Sequence, residues 1–425
     1  MRRFHPAWAV AAVTFIALLG AAGFRSTPSV MLQPLHDEFG WSLGTISAAV
    51  SVNLLLYGLT APFAAALMAR FGIRRVAMGA LLLVSAGSGL TLWMTQSWQL
   101  VLCWGVLVGL GTGSLALGFV ATITGRWFVR HRGLVTGVLT AAGATGNLIF
   151  LPVLSRVVES DGWRTAALTV SIAALLVVPL LWWRLRDHPA DLNVPAFGAT
   201  EIEEPVKPAG GAAANALRAL RDAAKTRPFW LLAGGFAICG ATTNGLVGTH
   251  FIPAAHDHGM PSTTAATLLA LVGVFDVVGT IASGWLTDRV DSRILLGAYY
   301  ALRGLALLTL PSLFAATAHP SMLIFILFYG LDWVATVPPT VTLCREYFGA
   351  AGPIVFGWVF ASHQFGAAAA ATAAGLVRDR MGEYTVAWYA AGGLAILGAV
   401  LSLMLYAGKR LPLLEQSVQG ATSRA

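Results

Sequence analysis

Twelve apolar runs, most of them longer than twenty residues, leave this chain few ways to fold. They cover residues 7–33, 43–68, 74–95, 98–124, 132–156 and 163–184, then 228–254, 262–288, 293–316, 320–345, 351–377 and 384–408. About 20 residues of α-helix, each rising 1.5 Å, cross a hydrocarbon layer about 30 Å thick, so runs of this length predict spanning helices. Composition agrees: 57% of the residues are hydrophobic and 11% charged, where a soluble domain is about one quarter charged.

The formal charge of +8 does not point to nucleic acid, because the basic residues sit in small groups between apolar runs and form no stripe. Cys103, Cys239 and Cys344 all fall inside apolar runs, with no disulfide or metal spacing, and read as packed free thiols. The opening MRRFHPAWAVAAVTFIALLGAAG has the basic and apolar regions of a secretion signal. No small-residue cleavage site ends it and many spans follow, so it reads as the first membrane helix.

One polar, Pro-rich and charged segment divides the runs. The expected organisation is a six-helix half over 1–184, a linker over 185–227, a second six-helix half over 228–410 and a tail over 411–425. Arg2, Arg3, Arg70, Arg74, Arg75, Arg126, Arg130, Arg132, Arg289, Arg293, Arg345, Lys409, Arg410 and the linker's basic residues fall on one side. The other side holds Arg156, Arg164, Arg378 and Arg380. The positive-inside rule then places both termini and the linker in the cytoplasm, with the chain in the cytoplasmic (inner) membrane. Within the linker, AANALRALRDAAK has helical spacing with Leu217 and Leu220 apolar, which predicts a helix along the membrane surface.

The two halves repeat. Arg70 matches Arg289, Arg126 matches Arg345, Phe128 matches Phe348, Gly137 matches Gly357 and Thr165 matches Thr385, all at one offset of half the chain that holds to within a single position. Six helices duplicated in one orientation are the parallel-repeat pattern of transporters. The expected fold is therefore an all-α polytopic membrane protein of 12 transmembrane helices in two parallel six-helix repeats.

Two stretches carry a family resemblance. GWLTDRVDSR, residues 284–293, is similar to the loop motif of the major facilitator superfamily, Gly-x-Leu-x-Asp-Arg-x-Gly-Arg-Arg. Gly284, Leu286, Asp288 and Arg289 match it, and Asp291 stands where a second Gly is usual. The first-half copy, AALMARFGIRR, has Ala65 and Ala69 in place of the Gly and Asp but keeps Arg70, Gly72, Arg74 and Arg75. RWFVRHRGLVTGVLTAAGATG, with GFRSTPSVMLQPLHDEFGWS and GVFDVVGTIASGWLTDR, resembles the monocarboxylate-transporter-like and oxalate:formate-antiporter-like branch. That resemblance implies a small organic anion moved with a proton or exchanged for another anion. It also implies a conformational latch at Gly284, Asp288, Arg289, Arg70 and Arg345, in which Asp288 meets the start of the fifth helix. Many branch members carry an arginine in the eighth helix after the Gly that Gly279 matches; this chain has Thr280. The eleventh helix lacks a lysine and has His363 and Gln364, so positive charge for an anion has to come from elsewhere.

Charges inside the spans ask for a reason, since each costs about 2.5–3.5 kcal/mol on insertion scales. Asp276 lies twelve residues before Asp288 and Arg303 ten residues after Arg293. At 1.5 Å per residue those depths are about 18 and 15 Å on adjacent antiparallel helices, which predicts a buried Asp276–Arg303 pair, either structural or proton-binding. Arg25, in the small and polar GFRSTPS, is a candidate contact for an anion, with an interfacial arginine as the other reading. Asn53, Tyr57, Asn244, His250, Asp332, His363 and Gln364 lie on helices that line the superfamily's cavity and complete the expected substrate-binding set. His250 or His363 is suited to carry a coupling proton. HDH at residues 256–258 does not define a metal site, and neither metal nor cofactor is expected.

Gly109, Gly111 and Gly113 in the fourth run follow no strand, so they are expected to serve helix packing rather than nucleotide binding. Pro338 and Pro339 are expected to bend or break the tenth helix. The expected function is secondary active transport of a monocarboxylate-like anion by alternating access, coupled to protons, with lipid around a monomer. Anion exchange and export of a neutral or cationic compound stay open. A membrane enzyme or sensor would need a catalytic constellation or a soluble domain, and the sequence has neither.

Overall fold

The computed structural model describes residues 5–41, 43–204 and 211–406. Arg2, Arg3, Lys207, Lys409, Arg410 and the tail 411–425 lie outside them. The described residues are helical almost throughout, and their single isolated β-bridge joins Phe128 and Phe197. Ten helical stretches are long and apolar enough to cross a membrane, and two of these, 53 and 59 residues long, are too long for one crossing. The first is broken at Gly162, whose φ of 81° and ψ of 167° are non-helical. The second is broken after Asp332 and again near Gly349.

Twelve spanning helices result. In the first half they are α1 (Pro6–Phe39), α2 (Leu43–Phe71), α3 (Ile73–Leu90), α4 (Ser97–Trp127), α5 (132–161) and α6 (163–184). In the second half they are α7 (Arg227–Asp257), α8 (Ser262–Thr287), α9 (Ser292–Thr309), α10 (320–348), α11 (Gly352–Met381) and α12 (Thr385–Leu403). The chain divides into two compact units, Met1–Ala213 and Ala214–Ala425, at a point inside the polar segment 185–227.

Each unit is packed through glycine. In the first, α1 and α5 cross where Gly146 lies on the Leu19 carbonyl and Gly23 on the Phe150 ring. In the second, α7 and α11 cross where Gly240 lies on the His363 carbonyl and Gly366 on that of Ala237. Gly146 matches Gly366 at the offset of the sequence repeat, and Leu19 matches Ala237 to within a position or so, which means that one crossing is built twice. Gly105, Gly109 and Gly113 of α4 face α2, while Gly111 approaches the Ala80 carbonyl of α3. Lipid tails are as apolar as leucine, so close backbone approach rather than burial from water is what holds such helices together.

The side poor in basic residues also repeats. Arg164 of α6 pairs with Glu38 near the end of α1 at 2.6 Å, and Arg378 of α11 pairs with Asp257 at the end of α7 at 2.7 Å. Glu38 and Asp257 occupy equivalent positions of the two repeats. The linker helix Ala212–Ala223 forms as expected, with an alanine face packed against the protein. Ala212, Ala216, Ala219 and Ala223 are buried, Leu217 is exposed, and Trp358 of α11 donates its indole N–H to the Ala216 carbonyl at 3.0 Å. A stripe of alanines lets the linker helix lie closer to α11 than leucines allow.

A Cβ at Gly240 overlaps backbone, whereas one at Gly393 of α12 meets nothing within 4 Å. Gly240→Ala is expected to cost about 1–3 kcal/mol through overpacking. In thermal unfolding of the detergent-purified protein this reads as a clear fall in Tm, with Gly393→Ala unchanged or slightly raised.

Candidate functional site: a broken helix braced by buried charges

Helix α10 breaks within the membrane span, and the sequence explains where. Pro338 and Pro339 have no N–H, so the carbonyls of Val334 and Ala335 lose their helical donors. Both prolines fall in the first turn of the second segment, Val337–Phe348, where a missing N–H costs least. The first segment ends at Asp332, and residues 333–336 form tight turns, with Trp333 N–H on Gly330, Ala335 N–H on Asp332 and Val337 N–H on Val334.

Backbone groups freed inside a bilayer need partners from the protein. Arg303 of α9 supplies two of them, donating Nη2 to the carbonyls of Asp332 at 2.7 Å and Trp333 at 3.3 Å. The Ser283 hydroxyl of α8 donates to the Ala335 carbonyl, and Val334 N–H donates to Asp276 Oδ1 at 3.1 Å. Gly279 of α8 lies directly on the Leu331 carbonyl, and this close approach brings Asp276 and Ser283 within reach of the break.

The same groups form a buried polar cluster. Arg303 Nε donates to Asp332 Oδ2 at 2.6 Å, and its Nη1 contacts Cys239 Sγ at 3.0 Å. Thr336 Oγ1 lies 3.3 Å from the same sulfur, and Tyr329 and Tyr300 donate to the carbonyls of Thr242 and Gly235. Asp276, Arg303 and Asp332 are 3%, 1% and 8% exposed, so all three charges are held away from solvent. Removing one partner of such a pair strands the other, at about 3–5 kcal/mol.

The predicted Asp276–Arg303 pair is therefore corrected: Arg303 pairs with Asp332. Its side chain is drawn to α10 because the break exposes carbonyls as well as a carboxylate, a stronger site for a guanidinium with five donors than Asp276 alone. Asp276 instead takes neutral donors, the Val334 amide and the Thr280 hydroxyl at 2.7 Å, and makes no ion pair among the described residues. Thr280, at the position where branch members carry arginine, thus bonds the acid one helical turn before it.

Of the other expected contacts, His363 borders this cluster beside Cys239, while Asn53 and His250 bond elsewhere. Asn53 is buried and donates to the Trp104 carbonyl of α4 at 2.8 Å. His250 Nε2 donates to the Ala371 carbonyl at 2.9 Å, which leaves Nδ1 to accept from the Tyr384 hydroxyl at 3.2 Å. His363 is buried between Phe236 and Phe360, and its Nδ1 has no hydrogen-bond partner among the described residues. Gln364 is half-buried and Asn244 exposed, while the Arg25 side chain lies outside the described residues. Asn244 sits in a π-helical stretch of α7, Ala241–Val247, and such bulges occur often at functional sites.

The first unit breaks its own fourth helix at Leu115–Ala116, the positions that the sequence repeat makes equivalent to Val334–Ala335. A cavity lies against that break, lined by Leu18, Tyr57, Leu115, Ala116, Leu139 and Thr140, among others. Thr140, which sequence reasoning missed, is 7% exposed and its hydroxyl has no partner among the described residues. Nothing in sequence separates this threonine from the many that back-bond within helices.

At the basic end of each unit, a carboxylate caps the third helix of the repeat. In the second unit Asp291 caps α9 locally through Arg293 N–H at 2.9 Å. In the first, Gly72 stands at that position, and Asp187 from beyond α6 reaches the Arg74 N–H at 2.8 Å. Gly72, at φ 91°, is required because a Cβ there overlaps the Asp187 carboxylate. Of the remaining motif residues, Arg289 folds back onto the Trp285 ring, Asp288 is exposed at the end of α8, Gly284 is buried, Arg70 is exposed and Arg345 half-buried.

Asp187 begins a strap over residues 185–199. Phe197 exchanges backbone hydrogen bonds with Trp127, Val129 and Arg130 and packs its ring among His5, Trp8 and Phe128. Arg126 anchors the strap through the Asp187 carbonyl at 3.3 Å and His188 Nε2 at 3.2 Å. A guanidinium only donates, so Nε2 is the unprotonated ring nitrogen.

A model of the Major Facilitator Superfamily matches residues 13–352 and 238–422. The uncharacterized MFS-type transporter YcxA of Bacillus subtilis is 26% identical over 95% of this chain and 96% of its own length. Monocarboxylate transporter 13 of Bos taurus is 27% identical over 94% and 89%, and monocarboxylate transporter 3 of Mus musculus 30% identical over 94% and 79%. Among solved structures, the proton:xylose symporter XylE bound to 6-bromo-6-deoxy-D-glucose superposes with a TM-score of 0.70 at 17% identity, covering 97% of this chain and 98% of that one. The Escherichia coli fucose:proton symporter FucP gives 0.68 at 16%, covering 92% and 98%. The chain belongs to the Major Facilitator Superfamily. It is a multi-pass membrane transporter of small molecules and not an enzyme.

Burial, then the Arg126 guanidinium, lower the His188 pKa below the ordinary imidazole value, against Asp191 and Asp187, which raise it. The neutral ring belongs to the packed strap, so its contribution is present above about pH 6.5 and lost as pH falls through the lowered value. Limited proteolysis within 186–204 is expected to accelerate between pH 7.5 and 5.5, and His188→Gln, a neutral acceptor, is expected to remove most of that dependence.

Proposed function

We propose that the chain moves a small organic anion of the monocarboxylate type across the cytoplasmic membrane together with a proton, by alternating access, with both termini cytoplasmic. One observation carries the reading: the buried cluster holds two carboxylates and one guanidinium, and Arg303 is committed to Asp332. With both acids ionised the cluster has one negative charge in excess, and a single proton on Asp276 brings it to neutrality. Asp276 changes protonation without breaking an ion pair, because its partners are a hydroxyl and an amide. The names of the relatives support a monocarboxylate, and Arg25 is the proposed contact for its carboxylate. Tyr57, Asn53, Asn244, His250, Asp332, His363 and Gln364 remain the proposed surroundings, to which the Thr140 hydroxyl is added. Gly284, Asp288, Arg289, Arg70 and Arg345 are assigned to the conformational latch.

A second reading has its own support. Among the described residues the cavity at the α4 break is lined by apolar groups and hydroxyls, and Thr280 stands in place of an arginine, which favours a neutral organic compound moved with a proton.

Uptake of radiolabelled lactate, pyruvate and other monocarboxylates into proteoliposomes, with and without an imposed pH gradient, tests both. Accumulation driven by the gradient is expected, with Asp276→Asn losing accumulation but retaining carboxylate exchange across the membrane. A folded Asp276→Asn protein that accumulates as well as wild type removes Asp276 from coupling. A panel in which no carboxylate enters leaves the neutral reading.

A further inference from the structure

The two sides of the α10 break are held by different helices. Arg303 of α9 binds the end of the first segment, through the Asp332 carboxylate and the carbonyls of Asp332 and Trp333. Asp276 and Ser283 of α8 bind the start of the turn that leads into the second segment, at Val334 N–H and the Ala335 carbonyl. A break whose flanks are tied to separate supports bends between them at a defined place, which is what makes a hinge rather than a loose segment.

We propose that Arg303 is a positioning residue for transport: its capping of the two carbonyls makes residues 333–336 a hinge, so that turnover rather than substrate affinity depends on it. The proposal rests on transport itself and not on the proton reading of Asp276. Neutralising Asp332 is one role of Arg303, and holding the break is a second, separable from the first. The ion pair uses Nε and Oδ2, whereas the capping uses Nη2 and main-chain oxygens that no substitution at position 332 removes. Cys239 and Thr242 complete the cradle around Nη1, at 3.0 and 3.5 Å, so the guanidinium plane is fixed on both edges. Tyr300, one turn earlier on α9, closes the remaining face, with its ring centroid 5.6 Å from the Arg303 guanidinium carbon.

The discriminating variant is the double substitution Arg303→Met with Asp332→Asn, which strands neither member of the Arg303–Asp332 ion pair but leaves no donor for the carbonyls. Hydrogen exchange of the full chain in lipid nanodiscs is the first readout. Amides of 333–337 are expected to exchange about tenfold faster or more, the loss of one charge-assisted hydrogen bond, while the rest of α10 stays near wild type. Lactate uptake in proteoliposomes is the second, read against Asp332→Asn alone because Asp332 belongs to the proposed substrate surroundings: relative to that variant the maximal rate is expected to fall about tenfold with apparent KM moving less than about threefold. Arg303→Lys, which keeps the charge and caps with a single ammonium, is expected to fall between wild type and the double variant in both readouts, and it serves in place of the double variant should that fail to fold. Wild-type exchange at 333–337 in the double variant overturns the proposal, as does a raised KM at an unchanged maximal rate. Should lactate not be carried, the carboxylate reading fails by itself and the exchange readout alone decides the role of Arg303.

Discussion

A helix that breaks inside a membrane strands amides and carbonyls that lipid cannot satisfy, and each one left bare costs several kcal/mol. In this protein the two prolines of α10 impose that problem, and much of the second unit is arranged around its solution. Arg303 reaches across from α9, Ser283 and Asp276 from α8, and the glycine at 279 lets α8 come close enough for both to arrive. A guanidinium brought in to cap carbonyls then needs a counter-charge, which Asp332 provides at the end of the broken segment. The charges that look out of place in the sequence follow from the break, and the excess carboxylate is the one the proposed proton coupling uses.

The two units share a scaffold and differ in chemistry. Crossings of α1 with α5 and of α7 with α11 share the glycine-on-carbonyl contact made by Gly146 and Gly366, and both units break the fourth helix of the repeat at equivalent positions. The first unit has a mainly apolar cavity with a few hydroxyls at its break, while the second holds a buried ion pair there. The caps of α3 and α9 differ in a parallel way. Where Asp291 caps its own helix, Gly72 leaves the site empty for Asp187, which binds the start of the linker to the first unit. A local cap in one repeat thus becomes a long-range tie in the other.

Most of the architecture was legible in the residues, because span length and a repeat of half the chain each depend on local composition. Gly109, Gly111 and Gly113 read correctly as packing, and Pro338 with Pro339 correctly announced the break. Depth along neighbouring helices did not suffice for pairing Arg303. Asp276 and Asp332 offer carboxylates at similar depths, and the choice turns on carbonyls that exist only once α10 is broken. The linker helix was legible from its spacing, but the inward packing of its alanine face was not, because close approach rather than hydropathy selects that face. Thr140 and the strap anchored by His188 depend on tertiary neighbours that no spacing rule conveys.

Central to this account is that Asp276 supports the backbone of α10 rather than the charge of Arg303. Residue-resolved hydrogen exchange at Val334, in nanodiscs, compares wild type with Asp276→Asn, which keeps an acceptor oxygen, and Asp276→Leu, which does not. The account predicts that asparagine preserves most of the protection at Val334 and leucine removes it, with the exchange of 320–332 unchanged in both. Equal protection of Val334 in the leucine variant contradicts it and returns Asp276 to the role of a counter-ion.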